Sequence, residues 1–263
     1  MKGEGCRGAV KPSLSLFALA GMPEVTSGAA LAPLLLQAVE RAGLALEDGD
    51  VFVLAQKIVS KAEGRQVKLV DVVPSARALE LAAVTGKDAR MVELILRESR
   101  EVLRAKRGVI IVEHRLGFVM ASAGIDQSNV PYAEGECALL LPENPQASAT
   151  RLRDALREAT GHDVAVVIND SFGRAWRNGV TGTAIGVAGI PALVDMRGRS
   201  DREGRALQVT EIAAADEVAA AASLVMGQAD ESVPAVLVRG FPYARREASV
   251  DELIRARAED LFR

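Results

Sequence analysis

Apolar residues follow two spacings along the chain, and each spacing predicts one kind of secondary structure. Short continuous apolar runs between turn residues are typical of buried β-strands. Four such runs lie at residues 14–20, 51–55, 164–168 and 234–239. Apolar residues three and four positions apart predict amphipathic helices at residues 25–43, 75–84, 88–103, 144–160, 211–226 and 250–263. Strands therefore alternate with helices, which predicts an α/β fold.

Turn residues and caps indicate how some of these elements begin and end. Thr26 or Ser27 can cap the first helix, and Gly43 can end it. The apolar runs at 108–113 and 117–122 are separated by a polar turn, which predicts an antiparallel hairpin. We therefore expect a mixed sheet with flanking helices, in a single domain over residues 1–263 that can divide into two lobes.

The composition is typical of a compact enzyme rather than of a nucleic-acid or membrane protein. Hydrophobic residues make up 49% of the 263 residues, which is enough for a sizeable core. The formal net charge is only -3 and aromatic residues are 3% of the chain, so neither nucleic acid nor a membrane surface is an expected partner. The apolar runs are all shorter than the roughly 20 residues that a membrane span needs.

The N-terminal region and the cysteines bear on the compartment. Lys2, Arg7 and Lys11 precede the apolar stretch 14–20, as basic residues do in a secretory signal. A first strand is the favoured interpretation, because the stretch is short and a Gly-Met-Pro turn follows it. The chain has two cysteines and no CxxC spacing, which argues against a disulfide scaffold and a structural zinc site. We therefore expect a cytoplasmic protein.

Polar and glycine-rich segments follow several predicted strands, where α/β proteins commonly bind ligands. Lys57 and Lys61 lie on one side of segment 55–64 if it is helical, and they can then hold phosphate oxygens; a solvated lysine pair is the alternative. In segment 123–129, Asp126 and Asn129 can form an Asx turn. Alternatively, Asp126 can bind Mg²⁺ or Mn²⁺ and Asn129 can contact a nucleotide.

The most informative segment is residues 168–186, in which polar residues and glycines follow a hydrophobic strand. Asp170 and Ser171 can bind a divalent cation, and Arg174 and Arg177 can clamp phosphate or carboxylate groups. The alternative is a surface loop with unpaired arginines. Segments 195–205 and 226–234 also offer charged and amide groups around glycine turns, although the first alone is more typical of a solvated turn.

Several familiar catalytic motifs are absent from the sequence. It has no GxxxxGK[ST] loop and no GxGxxG after a strand, because Gly182, Gly186 and Gly189 have the wrong spacing. No serine lies in a GxSxG elbow, and His114 and His162 are remote from the candidate segments. A nucleophilic triad is therefore not supported, and the lone histidines are better interpreted as core residues.

Six segments resemble the coenzyme F-420-0 gamma-glutamyl ligases, and they span almost the whole chain. They are Gly-Met-Pro at 21–23, Gln-Lys-Ile-Val-Ser-Lys-Ala-Glu-Gly at 56–64, Ala-Gly-Ile-Asp-Gln-Ser-Asn at 123–129, Asp-Ser-Phe-Gly-Arg-Ala-Trp-Arg-Asn-Gly at 170–179, Ala-Ile-Gly at 184–186 and Leu-Val-Met-Gly at 224–227. One such segment is a weak signal, but six in the order of the family are specific.

The resemblance implies a ligase that joins L-glutamate through a γ-linkage to the lactyl-phosphate carboxylate of the F-420 precursor. It implies GTP as phosphoryl donor and an acyl phosphate as intermediate. It also implies two divalent cations, Mn²⁺ or Mg²⁺, and allows a monovalent cation such as K⁺. It also implies a homodimer. Some relatives carry a fused flavin-reductase-like domain, whereas we expect only the single gamma-glutamyl ligase domain here.

Site residues follow from the resemblance by position. Asp126 and Asp170 resemble ligands of one cation, and Ser171 resembles a ligand of the other. Gln228 lies where some relatives have a glutamate ligand, and a neutral amide is a poorer cation ligand than a carboxylate. The candidate catalytic residues are Asp126, Asp170, Arg174 and Arg177. The residues that resemble the nucleotide site are Ala20, Gly21, Met22, Pro23, Gln56, Lys57, Lys61, Asn129, Met226, Gly227, Gln228, Ala229, Asp230, Glu231, Ser232 and Val233.

Two other functions fit the same residues. A metal-dependent phosphohydrolase would use the same two aspartates and would turn over without glutamate. A nucleotide-binding module without catalysis is the third hypothesis, and Gln228 is the feature that favours it.

Overall fold

The computed structural model describes residues 13–127 and 136–261, and in them strands and helices alternate. The strands are β1 (Ser15–Ala18), β2 (Val51–Ala55), β3 (Gln66–Lys68), β4 (Ser99–Lys106), β5 (Val109–His114), β6 (Val119–Ala121), β7 (Cys137–Leu139), β8 (Ala165–Arg174), β9 (Arg177–Ala188), β10 (Val194–Asp195), β11 (Glu211–Ile212) and β12 (Ala235–Arg239). The helices are α1 (Leu31–Arg41), α2 (Gln56–Ala62), α3 (Ala76–Thr85), α4 (Ala89–Arg97), α5 (Pro145–Thr160) and α6 (Ala214–Met226). The α/β class is therefore confirmed.

A five-stranded sheet in the order β1-β12-β2-β8-β9 forms the centre of the fold. Strands β2 and β8 are parallel and the other neighbours are antiparallel, so the sheet is mixed, as predicted. Residues 51–54 and 165–168 are fully buried, which explains the continuous apolar sequence of both central strands. The carboxyl ends of this parallel pair meet at one edge of the sheet, where α2 begins directly after β2.

Two glycines of β9 allow helices to approach the sheet closely. A Cβ atom at Gly182 would overlap the backbone of Ala219 in α6, and one at Gly186 would overlap the backbone of Pro145 in α5. Residues 182 and 186 therefore lack a side chain because the helices occupy that space.

A smaller sheet, in the order β4-β5-β6, packs with α3 and α4. The predicted hairpin at 108–122 is confirmed, because β5 and β6 pair antiparallel. A separate apolar cluster joins this sheet to the two helices through residues that include Leu81, Val92 and Ile110. The division into two lobes stays a prediction.

Two predicted helices have different bounds in the structure. The first begins at Leu31, after an Ala30 cap position without a side-chain hydrogen bond, so capping by Thr26 or Ser27 is wrong. The helix predicted at residues 88–103 ends at Arg97, and residues 99–106 form β4. This segment is a strand because it pairs with β5 from Ser99 to Lys106, and long-range pairing overrides the local helical spacing.

The predicted strand at 164–168 continues much farther than the apolar run suggests. Strand β8 extends to Arg174 and pairs antiparallel with β9, so a hairpin replaces the loop alternative for most of segment 168–186. The pairing satisfies the backbone groups of a segment whose glycines and charges favour a loop locally. Helix α6 also begins later than predicted, because Glu211–Ile212 forms β11 and pairs with β10.

The C-terminal helix predicted from Val250 onwards is wrong over the described residues. Short 3₁₀ turns form there instead, at Val250–Leu253 and Arg257–Glu259. Side-chain contacts compete with helical hydrogen bonding: Ser249 Oγ accepts from Asp251 N, and Arg257 pairs with Glu101 of β4 at 2.8 Å.

The strand interpretation of residues 14–20 is confirmed by β1, which pairs with β12. Within the described ranges, the helices are all too short or too polar to cross a membrane. His114 is fully buried and accepts a hydrogen bond from Leu116 N, as expected of a core histidine, whereas His162 is exposed beside Asp48.

Candidate functional site

A cleft of about 420 Å³ opens where the parallel pairing of β2 with β8 ends, at Ala55 and Asn169. Helix α2 forms one wall, the segment 22–25 forms another, and the turn after α6 at 226–234 closes a third side. The carboxyl ends of parallel strands are the usual ligand position in α/β folds. The architecture therefore places a candidate active site at this edge.

Most of the sequence-predicted site residues line this one cleft. They are Met22, Pro23, Gln56, Lys57, Lys61, Asp170, Ser171 and residues 226–233. Ala20 and Gly21 precede this wall and do not line the cleft. Asn129 lies outside the described residues. Segments that are far apart in sequence thus meet because β2 and β8 are neighbours in the sheet.

Asp126 reaches the cleft through an ion pair with Lys57, whose Nζ lies 2.6 Å from Asp126 Oδ2. A bridge to Leu139 fixes Asp126, since each residue donates its backbone N–H to the carbonyl oxygen of the other. Lys57 is in the first turn of α2, directly after β2. The ion pair therefore joins the segment around Asp126 to the centre of the sheet.

Asp170 carries a shifted pKa. Burial raises the pKa of its carboxyl to about 6, the backbone N–H of Ser171 opposes the shift, the charge of Asp126 adds to it, and Lys57 opposes it. Two carboxylates whose charges repel each other across a partly buried site are stabilised by a cation between them. The electrostatics of Asp126 and Asp170 are thus those expected of a cation site.

Strand geometry separates the candidate ligands into two sets. Successive side chains of a strand point to opposite faces, so Asn169 and Ser171 share one face of β8 and Asp170 occupies the other. Ser171 Oγ donates a hydrogen bond to Gln228 Oε1 at 2.8 Å, on the side of the turn after α6. Asp170, on the other face of β8, interacts electrostatically with Asp126 and Lys57.

The donor atoms of both sets are oxygens of carboxylate, hydroxyl and amide groups, which suit Mg²⁺ or Mn²⁺. Among the residues that the structure describes, no group of three or more histidine, cysteine, aspartate or glutamate side chains forms a metal site. The donor set is therefore sparse. Mg²⁺ commonly needs only one or two carboxylates, because water and substrate phosphates complete its coordination.

Gln56 offers a buried donor at the base of the cleft. Its Oε1 accepts a hydrogen bond from Ser60 Oγ at 2.7 Å, whereas its Nε2 has no acceptor among the described residues. A buried N–H group without a partner costs free energy, so a ligand oxygen would stabilise it. This arrangement fits the predicted contact between Gln56 and a nucleotide.

Arg174 and Arg177 lie away from the cleft of their own chain. They pair across the exposed tip of the β8–β9 hairpin, and Arg174 Nη2 donates to the carbonyl oxygen of Asn178 at 3.4 Å. Trp176 between them is also exposed, with a left-handed φ of 67°. Neither arginine is among the residues that line the cleft.

Sequence reasoning missed two polar residues of the cleft. Glu24 pairs with Lys61, whose Nζ lies 2.5 Å from Glu24 Oε1. Asn169 is buried, donates from Nδ2 to Ser223 Oγ at 2.9 Å and accepts at Oδ1 from Thr183 N at 3.0 Å. Its position at the end of a buried strand, directly before Asp170, is the signal that could have identified it.

The chain is similar to known proteins over most of its length. The family model described as F420-0:Gamma-glutamyl ligase matches residues 21–240. The coenzyme F420:L-glutamate ligase of Methanothermobacter thermautotrophicus is 48% identical over 252 residues, covering 95% of this chain and 99% of the relative.

Two further relatives carry the same name. The protein of Methanopyrus kandleri is 46% identical over 244 residues, covering 91% of this chain and 94% of its own. That of Methanocaldococcus jannaschii is 43% identical over 218 residues, covering 83% and 86% respectively. The family match includes both central strands and every wall of the cleft. The chain therefore belongs to the F420-0:gamma-glutamyl ligase family.

Proposed function

We propose that the protein joins the amine of L-glutamate to the lactyl-phosphate carboxylate of the F-420 precursor, with GTP as co-substrate. A γ-linkage results where the γ-carboxylate of a glutamate already attached is the acceptor. Family membership and the names of the relatives support the ligase class and its substrates. The observation that carries the proposal is the single cleft that gathers Lys57, Lys61, Asp170 and Ser171, with Asp126 attached through Lys57. Cations and hard oxygen ligands together are what phosphoryl transfer requires.

The chemistry explains why a phosphoryl donor is needed, and GTP is the donor that the family resemblance implies. A carboxylate does not condense with an amine in water, because its oxygen is a poor leaving group. Transfer of the terminal phosphoryl group of GTP to that oxygen gives an acyl phosphate and GDP. The glutamate amine then attacks the acyl carbon, the amide bond forms, a proton is lost from the nitrogen, and inorganic phosphate leaves. No nucleophile from the protein takes part.

Residues of the cleft supply binding and charge for these steps. Lys57 and Lys61 attract the phosphates, and the buried Nε2 of Gln56 donates to a nucleotide oxygen. Asp126 and Asp170 would hold one divalent cation, and Ser171 and Gln228 would hold the other. Bound Mn²⁺ or Mg²⁺ supplies neutralisation of the charge on the transferred phosphoryl group. A K⁺ ion remains a further candidate.

Two arginines at the tip of the β8–β9 hairpin are candidates for binding the acceptor. Arg174 and Arg177 would contact the anionic acceptor, but they lie at the exposed hairpin tip of their own chain. We also propose a homodimer on the basis of the family resemblance, and a cytoplasmic location on the basis of two cysteines without CxxC spacing. Light scattering of the purified protein measures the assembly directly, with a monomer of 27.8 kDa as reference.

The test is to incubate purified protein with F-420-0, GTP, Mn²⁺ and L-glutamate. Mass spectrometry is expected to show a glutamate increment on the precursor, and GDP and phosphate are expected only when all four components are present. GTP hydrolysis without glutamate addition would indicate a phosphohydrolase. GTP binding without any turnover would indicate a non-catalytic module.

A further inference from the structure

A second cavity, of about 450 Å³, adjoins the cleft along the side chain of Lys61. Its walls are the segment 24–27, Lys61, Gly64, and residues 66 and 68 of β3. Glu24, Val25 and Lys61 line both cavities. A molecule bound in the second cavity would therefore lie directly beside one bound in the cleft.

The walls are held in place by backbone contacts. Strand β3 pairs with β7, and alternation along the strand puts Gln66 and Lys68 on the same face. The backbone N–H of Gly28 donates to the carbonyl oxygen of Ala62 at 2.8 Å, which holds segment 24–27 against the end of α2. These contacts preorganise the cavity before any ligand binds.

Gly64 is required at the contact between two of these walls. Its φ of 69° is left-handed, and a Cβ atom built on it would lie 2.7 Å from Ser27 Oγ. The close approach brings the Ser27 hydroxyl over the turn that follows Lys61. Thr26, Ser27 and Gln66 all line the cavity.

Among the described residues, the charges of the cavity are two ammonium groups and one carboxylate, on Lys61, Lys68 and Glu24. The Lys61 side chain is only 12% exposed and contacts the carboxylate of Glu24, whose side chain is 64% exposed. Lys61 thus already binds a carboxylate at the boundary between the two cavities. A carboxylate of a ligand can replace Glu24 in this contact, because an ion pair with so exposed a carboxylate contributes little free energy.

We propose that this second cavity binds the incoming amino-dicarboxylate substrate, L-glutamate. Two carboxylates and one ammonium in the ligand complement two ammonium groups and one carboxylate in the protein. Lys68 binds one carboxylate. Lys61, at the boundary, binds the other carboxylate beside the terminal phosphate of the nucleotide, and Glu24 holds the amine where the acyl phosphate forms. The inference rests on the proposed ligase function, and it adds the position of the amino-acid substrate.

The test is steady-state kinetics of Lys68→Gln, in which the ammonium is replaced by a neutral amide. The KM for L-glutamate is expected to rise about tenfold, the change that follows the loss of one charge-assisted contact, while kcat and the KM for GTP change less than twofold. Lys68→Arg, which keeps the charge, is expected to restore most of the affinity. Lys106→Gln, on β4 outside both cavities, is the matched control and is expected to resemble the wild type.

The outcomes separate this inference from the function on which it rests. A wild-type protein that adds no glutamate overturns the proposed function itself. An active wild type with an unchanged KM for L-glutamate in Lys68→Gln overturns the position of the substrate. A rise in the KM for the F-420 precursor alone would assign the cavity to the acceptor and would also overturn the inference.

Discussion

The hydroxyl of Ser171 donates a hydrogen bond to the side-chain oxygen of Gln228, and the two oxygens are 2.8 Å apart. Oxygens on adjacent positions of an octahedral Mg²⁺ site lie about 3 Å apart. The turn that carries Gln228 depends on Gly227, whose φ of 73° is a left-handed conformation that favours glycine. Strand β8 and this turn thus bring two oxygens to the spacing that one cation needs.

Replacing Gln228 by glutamate is expected to strengthen binding of the second cation. A carboxylate is a better ligand than an amide for Mn²⁺, and we expect about a tenfold lower Mn²⁺ concentration at half-maximal activity, equivalent to ~1.4 kcal/mol. Manganese titrations of activity measure the effect. Gln208→Glu, which adds the same charge at an exposed position outside the cleft, is the control. The assignment would be contradicted if Gln228→Glu needed the same Mn²⁺ concentration for half-maximal activity as this control, or a higher one.

Replacing Asp170 by asparagine is expected to abolish turnover without weakening the fold. The amide cannot replace an anionic ligand, so kcat should fall by about a hundredfold or more. Because burial raises the pKa of Asp170 to about 6, its ionised form is unfavourable in the folded protein, and Tm at neutral pH should not decrease. Activity assays and thermal unfolding measure both effects. Asp154→Asn on the exposed side of α5 should change neither, and wild-type activity in Asp170→Asn would show that the metal site is misplaced.

Replacing Asn169 by alanine is expected to reduce both stability and turnover. The substitution leaves Thr183 N and Ser223 Oγ without their present partner, which should cost about 1–3 kcal/mol. Asn169 precedes Asp170 on β8, so kcat should fall more than the affinity for GTP. Urea unfolding and steady-state kinetics measure the two effects. Asn178→Ala, at the exposed hairpin tip, is the comparison, and equal stability of the two variants would refute the role of Asn169.

Glu98 is expected to stabilise the protein in a pH-dependent manner. Burial alone would raise the pKa of Glu98. The neighbouring His114, whose Nε2 lies 3.5 Å from Glu98 Oε2, and the charges of Arg65 and Arg115 outweigh this effect and lower the pKa to about 2. The ordinary pKa of a glutamate is 4.5, and a lower pKa in the folded state stabilises the protein at any pH above that value. This stabilisation is lost as the pH falls from 4.5 towards 2.

The variant Glu98→Gln tests this directly, since it removes the charge and keeps the shape. At pH 7 it should lower the free energy of unfolding by roughly 3 kcal/mol, because it leaves two half-buried arginines with only the exposed Glu143 as an anionic partner. Urea unfolding from pH 7 to pH 2 should show the difference from wild type shrinking below pH 4.5. Glu80→Gln removes one partner of an exposed ion pair with Arg77 and should cost about 0.5 kcal/mol or less. A difference for Glu98→Gln that stays constant with pH would exclude the ionised carboxylate as the cause.

Local chemistry was sufficient for elements whose ends are set by neighbouring residues. Helix α5 begins after Asn144, whose side chain accepts from Ala147 N, and ends at Gly161 with a left-handed φ of 74°. Both signals are legible in the sequence because caps act within one turn. Strands β2 and β12 were equally predictable, since a fully buried strand needs a continuous apolar run.

Tertiary structure alone decided the elements and contacts that depend on distant partners. Residues 99–106 became β4 through pairing with β5, and β8 extended to Arg174 through pairing with β9, although neither segment carries a strong local strand pattern. The candidate site shows the same division. Sequence motifs identified Lys57, Asp126 and Asp170 as chemistry-bearing residues and the resemblance grouped them, but the ion pair of Lys57 with Asp126 and that of Lys61 with Glu24 required the folded chain. Electrostatic interactions depend on distance through space, and the sheet determines that distance.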